Sequence, residues 1–136
     1  MSDPVKHECG LAFIRLRKPF SYYLQQYGTV MYGLNKLYLL MEKQHNRGQD
    51  GAGVANIKID VDSGHRYISR YRSIKSQPVA HLFAKIGKKY KKAQKEGKEK
   101  FKNERWLKEN VAFSGELWLG HLRYGTHGMN SIENVH

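Results

Sequence analysis

Cys9-Gly10-Leu11-Ala12-Phe13-Ile14 is the stretch from which the fold of this chain can be read. Gly10 opens an apolar run, and this run predicts a buried β-strand over residues 10–16. Cys9, the only cysteine, stands directly before that strand. Taken alone, a free cysteine is more often a small buried side chain than a nucleophile. If trimming made Cys9 the first residue, its α-amine, with a reference pKa of about 7.7–8.0, could accept the proton of its own thiol.

The composition describes a basic chain whose charge is concentrated in one segment. The net charge of the 136 residues is +12, and residues 85–108 hold eleven Lys or Arg against three Glu. The charge therefore characterises that segment, and nucleic acid is not an expected partner of the whole chain. A single cysteine excludes an internal disulfide and a multi-cysteine metal site, and the seven histidines show no metal-binding spacing. A free thiol without a secretory signal fits a cytoplasmic protein, and no apolar run approaches the ~20 residues of a membrane span.

The segment that follows the first strand is predicted to become helical only from Val30. Residues 15–29 show no clear periodicity and are interpreted as irregular. Apolar side chains then recur at helical spacing, with Thr29 as the expected cap. The apolar face of this helix consists of Val30, Leu34, Leu37, Tyr38 and Met41.

A β-hairpin is predicted in the middle of the chain. A glycine-rich loop over residues 45–53 leads into a strand over 54–59. Turn-forming residues at 60–64 then allow a second strand over 65–70 to pair with the first.

The basic segment is predicted to belong to a helix over residues 78–109 that is interrupted or weakened at Gly87 and Gly97. The expected apolar face consists of Val79, Leu82, Phe83 and Ile86, and the lysines are expected to face water. Three aromatic residues of this segment could instead stack on RNA bases, namely Tyr90, Phe101 and Trp106. We favour the solvated helix, anchored to the domain by the aromatic residues at 101 and 106. A last strand is predicted over 116–124.

Polar side chains gather where the predicted strands begin or end, which is where sites in α/β proteins are usually built. Cys9 precedes the first strand, a glycine-rich loop precedes the second, and Arg123 lies near the end of the last. The guanidinium of Arg123 can bind a carboxylate through two parallel hydrogen bonds, and Thr126 can add a donor. A nucleophile together with a carboxylate clamp indicates attack on an amino-acid-like substrate.

Three motifs in this order resemble the glutaminase domain of the class II glutamine amidotransferases, which use an N-terminal nucleophile. The motifs are Glu8-Cys9-Gly10, Arg47-Gly48-Gln49-Asp50-Gly51-Ala52-Gly53 and Gly120-His121-Leu122-Arg123-Tyr124-Gly125-Thr126. Within this family the chain is most similar to the amidophosphoribosyltransferases, which begin purine synthesis. The resemblance implies fold class α/β (α+β) and an N-terminal-nucleophile four-layer αββα sandwich, present here in part.

The resemblance also implies a reaction and a set of site residues. Cys9 would attack the carboxamide of glutamine and form a glutamyl thioester, with its own α-amine as base and then as acid to the leaving ammonia. Arg123 would hold the glutamine α-carboxylate. The implied substrate-binding residues are Arg123, Tyr124, Thr126, His127, Arg47 and Gly48. The ammonia would be transferred to an acceptor, which the similarity identifies as phosphoribosyl pyrophosphate.

The same resemblance divides the chain into segments and implies its partners. Residues 1–8 match a propeptide, residues 9–136 the N-terminal part of the amidotransferase domain, and residues 85–109 a lysine-rich helical insertion. No cofactor is implied for this segment, and magnesium would belong to a phosphoribosyltransferase domain beyond it. The implied partners are glutamine, that C-terminal synthase domain and further copies of the full-length protein in a homo-oligomer, and a membrane is not among them.

The chain departs from the family pattern in ways that bear on activity. Asn46 intervenes between the usual Gln-His pair and Arg47, and the connection over residues 15–29 is longer than usual. The Asn-Gly element that supplies the oxyanion hole is absent from the 136 residues. Because losing an oxyanion donor typically lowers turnover about 10²–10³-fold, we expect this chain to be inactive alone.

Two further interpretations stay open at this stage. The first is another class II amidotransferase, acting in the synthesis of glucosamine 6-phosphate or of asparagine. The second is an inactive basic fragment that serves as a binding module, which the charge of the lysine-rich segment would favour.

Overall fold

The computed structural model describes residues 9–44 and 50–123, and the statements below concern these residues. They form a mixed α/β domain of four strands and five helices. In chain order the elements are β1 (Gly10–Arg15), α1 (Phe20–Tyr27), α2 (Tyr32–Lys43), β2 (Gly51–Ile57), β3 (Ile68–Ser73), α3 (Pro78–Glu96), α4 (Lys98–Phe101), α5 (Glu104–Asn110) and β4 (Leu117–Arg123). No helix in this part of the chain combines the length and the apolar content needed to cross a membrane.

The four strands form one antiparallel sheet in the order β1-β4-β2-β3. The predicted hairpin is present as β2 and β3, although β2 begins at Gly51 and β3 at Ile68, in each case three residues from the predicted position. β4 inserts between β1 and the hairpin, so the first and last described strands are neighbours. The coarse α/β class predicted from the sequence is therefore confirmed.

Helices α2 and α3 cover one face of the sheet and enclose the core with it. Each strand alternates its side chains between two faces, and the residues that point towards the helices are small or apolar over much of the sheet. The buried apolar residues of the strands are Ala12, Ala52, Val54, Trp118 and Leu122, and those of the two helices are Leu34, Leu37, Met41, Val79, Leu82, Ile86, Tyr90 and Ala93.

The opposite face of the sheet, here called the open face, carries exposed apolar side chains. Leu11 is 66% exposed and Phe13 is 64% exposed, both on the edge strand β1. Leu119, Ile57 and Ile68 extend this surface across the other strands. The prediction of a fully buried first strand was therefore wrong, because only the side chains of β1 that alternate with these two contact the helices.

The prediction that residues 15–29 are irregular was wrong as well, because α1 lies within this segment. Phe20 and Tyr23 are buried and Leu24 is partly buried, so that this helix presents an apolar face to the core. Pro19 precedes the helix, and Gly28 ends it with a left-handed φ of 76°. Pro19 and Gly28 are the signals by which the helix could have been recognised in the sequence.

Helix α2 begins two residues later than predicted. Leu34, Leu37 and Met41 are buried as expected, and Val30 is buried just before the helix. The hydroxyl of Thr29 accepts a hydrogen bond of 3.0 Å from the amide of Met31, so it stabilises the turn that precedes the helix.

Helix α3 passes through Gly87 without interruption and ends before Gly97, so the helix is interrupted only at the second of the two predicted glycines. The lysine-rich segment is helical, and its inner side belongs to the core. Tyr90 and Phe101 are buried, with ring centroids 6.2 Å apart, and Trp106 is partly buried. The first two of these rings are therefore not accessible for stacking on bases.

The end of the sheet at which β4 begins, here called the distal end, is held by buried polar contacts. The side-chain amide of Asn56 donates hydrogen bonds of 3.0 Å to the carbonyl oxygens of Gly115 and Leu117, and its oxygen accepts one of 2.6 Å from the amide of Gly115. The ammonium of Lys108 forms an ion pair with Glu116. These contacts fix the point at which the chain returns from α5 to the sheet.

Candidate active site

Cys9 is exposed and lies directly before β1. The next residue, Gly10, is buried against the end of α2, where a side chain on it would overlap the amide oxygen of Gln44. The amide nitrogen of Gln44 donates a hydrogen bond of 3.0 Å to the carbonyl oxygen of Leu11. Gln44 thus holds the start of β1 against the helix and leaves the preceding cysteine at the surface.

Arg123 is the last residue of β4 and is only 8% exposed. It pairs with Gly51, the first residue of β2, and its carbonyl oxygen accepts a hydrogen bond of 3.3 Å from the amide of Asp50. A guanidinium in such a position interacts strongly with a carboxylate, because surrounding protein replaces much of the competing water.

The strand register brings Cys9 and Arg123 to the same end of the sheet. Gly10 pairs with Leu122 across β1 and β4, and continuing this antiparallel register by one residue places Cys9 opposite Arg123. Opposed residues of an antiparallel pair point to the same face of the sheet. The two residues that the sequence selected from opposite ends of the chain are therefore neighbours on the open face.

Glycines of β2 lie beside the polar side chains of β4. Gly51 lies next to Arg123, and Gly53 lies next to His121 on the same face. Gly53 also pairs with Arg72 of β3, so that His121 and Arg72 flank a position without a side chain. Arg72 and Arg123 make this part of the open face basic, which suits a substrate that carries a carboxylate.

His121 is a buried residue of β4. It pairs with Leu11 on one side and Gly53 on the other, and it lies two residues before Arg123 on the same face. The alternation of β4 could have revealed this shared face. The contribution of Gln44, in contrast, has no signal in the sequence, because it depends on how α2 meets β1.

Several predicted site residues lie outside the described part of the chain. They are Arg47, Gly48, Tyr124, Thr126 and His127. Asp50 and Arg123, the described residues that adjoin the two segments containing them, are joined by a backbone hydrogen bond.

The described residues hold no group of three or more His, Cys, Asp or Glu side chains arranged to bind a metal ion. At the distal end, burial and the charge of Arg66 lower the pKa of Lys58. The charge of Glu116 raises the pKa of Lys58 and so offsets part of this effect. The ammonium of Lys58 also donates a hydrogen bond to the carbonyl oxygen of Lys108. This cluster lies at the opposite end of β2 from Gly51, so it stabilises the fold away from the candidate site.

Comparison with known proteins finds no matching family model, no similar curated protein and no similar solved structure. The functional assignment therefore depends on the motifs of the sequence and on the geometry of the sheet.

Proposed function

We propose that this chain is the N-terminal part of a class II glutamine amidotransferase domain that hydrolyses glutamine to glutamate and ammonia. The observation that carries the proposal is the register of β1 and β4, which puts Cys9 opposite Arg123. A sulfur nucleophile and a carboxylate-binding guanidinium on one face are the two groups that such a glutaminase needs from this part of its chain.

The chemistry follows from the two groups on residue 9. After removal of residues 1–8, the neutral α-amine of Cys9 takes the thiol proton, and the thiolate attacks the carboxamide carbon of glutamine. The ammonium so formed protonates the departing nitrogen, and the carbon–nitrogen bond breaks to release ammonia and leave a glutamyl thioester. The amine then deprotonates a water molecule, which hydrolyses the thioester to glutamate and restores the thiol.

Arg123 would orient the substrate in this scheme. Two parallel hydrogen bonds from its guanidinium to the α-carboxylate fix both the position and the direction of glutamine. Gly51, the register partner of Arg123, adds no side chain beside the guanidinium. Binding energy at the carboxylate thus positions the carboxamide at the sulfur.

The open face supports the finer fold proposal, a four-layer αββα sandwich of which these residues supply one sheet and one helical layer. Sheets in sandwiches pack face to face about 10 Å apart through apolar side chains. Leu11, Phe13 and Leu119 are exposed side chains of the kind that a second sheet would cover. That sheet would have to come from residues other than those the structure describes.

The ammonia acceptor most consistent with the motifs is phosphoribosyl pyrophosphate. It would bind to a separate synthase domain of the full-length protein, where magnesium would assist. Another class II amidotransferase remains the second candidate, because the glutaminase chemistry is the same and only the acceptor differs.

The test is glutamine hydrolysis by the full-length protein. We expect mass spectrometry to show that the active enzyme begins at Cys9, and we expect Cys9→Ala to abolish ammonia release while the circular dichroism spectrum is unchanged. Ser21→Ala, an exposed change on α1, is the matched control and should retain activity. Ammonia release by Cys9→Ala, or activity of a form that retains residues 1–8, would overturn the proposal.

A further inference from the structure

A groove between α1, α2 and the end of β1, here called the tyrosine groove, lies outside the candidate active site. Its volume is about 530 Å³, within the range of small-molecule sites. Its lining consists of Ile14, Arg15, Leu16, Lys18, Tyr22, Tyr23, Tyr27, Tyr32, Lys36, Leu39, Leu40 and Lys43. Arg15 is at the far end of β1 from Gly10, about 17 Å away for a strand of this length.

Three tyrosine rings line the tyrosine groove in nearly parallel planes. The rings of Tyr27 and Tyr32 have centroids 4.4 Å apart and planes inclined by 21°, and Tyr23 lies 4.9 Å from Tyr32 at 18°. Tyr27 is 55% exposed, so part of its ring surface faces solvent. Stacked rings with an accessible face provide a platform for another planar ring.

All the charged residues that line the tyrosine groove are basic. They are Arg15, Lys18, Lys36 and Lys43. The ammonium of Lys18 lies 5.8 Å from the ring centroid of Tyr22, and that of Lys36 lies 5.6 Å from the ring centroid of Tyr32. None of these four side chains forms an ion pair with a residue that the structure describes. The ammonium groups of Lys18 and Lys36 therefore lie beside the aromatic platform, and no described acidic residue forms an ion pair with them.

The geometry points to the tyrosine groove as a nucleotide-binding site. A nucleotide joins a planar base, which can stack on Tyr27, to a phosphate, which can accept charge-assisted hydrogen bonds from Lys18 and Lys36. The absence of acidic residues from the lining favours an anion over a neutral ring. The same chemistry is offered by a free nucleotide and by a single nucleotide within an RNA strand. The site is independent of the glutaminase proposal, because neither Cys9 nor Arg123 lines the tyrosine groove.

The experiment measures binding of AMP to the purified protein by isothermal titration calorimetry at low salt. We expect saturable binding that is at least about tenfold weaker for adenosine and for ribose 5-phosphate, since each lacks half of the recognised chemistry. An oligoadenylate of eight nucleotides forms the second arm. Tighter binding of this strand than of AMP, lost in the same variants, would identify RNA as the source of the nucleotide.

Matched variants locate the site. Tyr27→Leu should weaken AMP binding about tenfold, and Tyr67→Leu, which changes an equally exposed tyrosine outside the groove, should not. Lys36→Gln should weaken binding and reduce its dependence on salt, whereas Lys88→Gln on α3 should do neither. No saturable binding of either probe at millimolar concentration, or equal losses in the control variants, would overturn the inference. Near-ultraviolet circular dichroism of each variant confirms that the fold is retained.

Discussion

Gly51 and Arg123 are register partners, the first residue of β2 and the last residue of β4. Their pairing sets a position without a side chain beside a buried guanidinium, on the face that also carries Cys9. This relationship connects the glycine-rich motif to the arginine motif, because the two motifs meet in one residue pair of the sheet.

Replacing Gly51 with valine should place an isopropyl group beside the guanidinium of Arg123. We expect Gly51→Val in the full-length protein to raise the KM for glutamine at least about tenfold, equivalent to about 1.4 kcal/mol, with a smaller change in kcat. Steady-state measurement of ammonia release checks this. Ile57→Val, at the other end of the same strand, should leave KM unchanged. An unchanged KM in Gly51→Val would separate the glycine from substrate binding.

The open face gives a prediction that distinguishes the chain of 136 residues from the longer protein that the sandwich proposal implies. Because Phe13 is 64% exposed, Phe13→Ser should change the free energy of unfolding of the short chain by less than about 0.5 kcal/mol. In the full-length protein the same change should cost about 2–4 kcal/mol, since a covering sheet would bury the ring. Urea denaturation of both proteins provides the measurement. Equal small effects in the two proteins would contradict the sandwich.

Two glycines should respond in opposite directions to substitution by alanine. A side chain at Gly115 would overlap the carbonyl of Ile57, which belongs to backbone and cannot easily move, so Gly115→Ala should lower the free energy of unfolding by at least about 2 kcal/mol. Gly87 lies inside α3 with open space around it, and Gly87→Ala should raise that free energy by about 0.5–1 kcal/mol. Thermal and urea unfolding of the pair test the packing of the distal end and the continuity of α3. If Gly115→Ala is as stable as the original chain, the described contact is wrong.

Lys58 should make stability depend on pH in the alkaline range. Burial and Arg66 lower its pKa in the folded state, Lys108 contributes in the same direction, and Glu116 opposes them. The unfolded chain therefore binds this proton to a higher pH than the folded chain, and folding gains stability as the pH rises between the two pKa values. We expect the free energy of unfolding of the original chain to rise relative to that of Lys58→Met between about pH 7 and pH 9.5.

Urea denaturation at several pH values measures this difference. Lys88→Met, which changes an exposed lysine of α3, serves as the control and should give a constant difference from the original chain. A constant difference for Lys58→Met as well would mean that the ammonium is not destabilised by burial. The comparison stays below pH 10 because burial also raises the pKa of Tyr90, whose ionisation in the unfolded chain lowers stability above that value.

Local patterns predicted the strands, the hairpin and the buried side of α2, because each depends on periodicity within a short segment. Helix α1 could not be recognised by periodicity, because residues 15–29 show no clear pattern, although proline before a helix and glycine after it are common boundaries. The position of β4 between β1 and β2 could not be predicted from the sequence, because strand order depends on contacts between distant segments.

The candidate site, too, could be predicted from the sequence only in part. Cys9 and Arg123 could be predicted as site residues from their chemistry, because few other side chains can act as a nucleophile like a thiol or bind a carboxylate like a guanidinium. Their shared face followed only from the register. The roles of Gln44 and Gly53 also required the structure, because one acts through a helix end and the other through the side chain that it lacks.

The return of the chain at the distal end has a consequence for protein engineering. Between Ser73 and β4 the chain makes a long helical excursion, and Asn56 and the Lys108–Glu116 ion pair fasten its last part to the sheet. Leu117, where β4 begins, is six residues from Arg123, about 20 Å along the strand. Gly97, the one residue between α3 and α4, lies within this excursion, and a fluorescent label or affinity tag inserted there would be separated from the thiol by the distal end and by the length of β4.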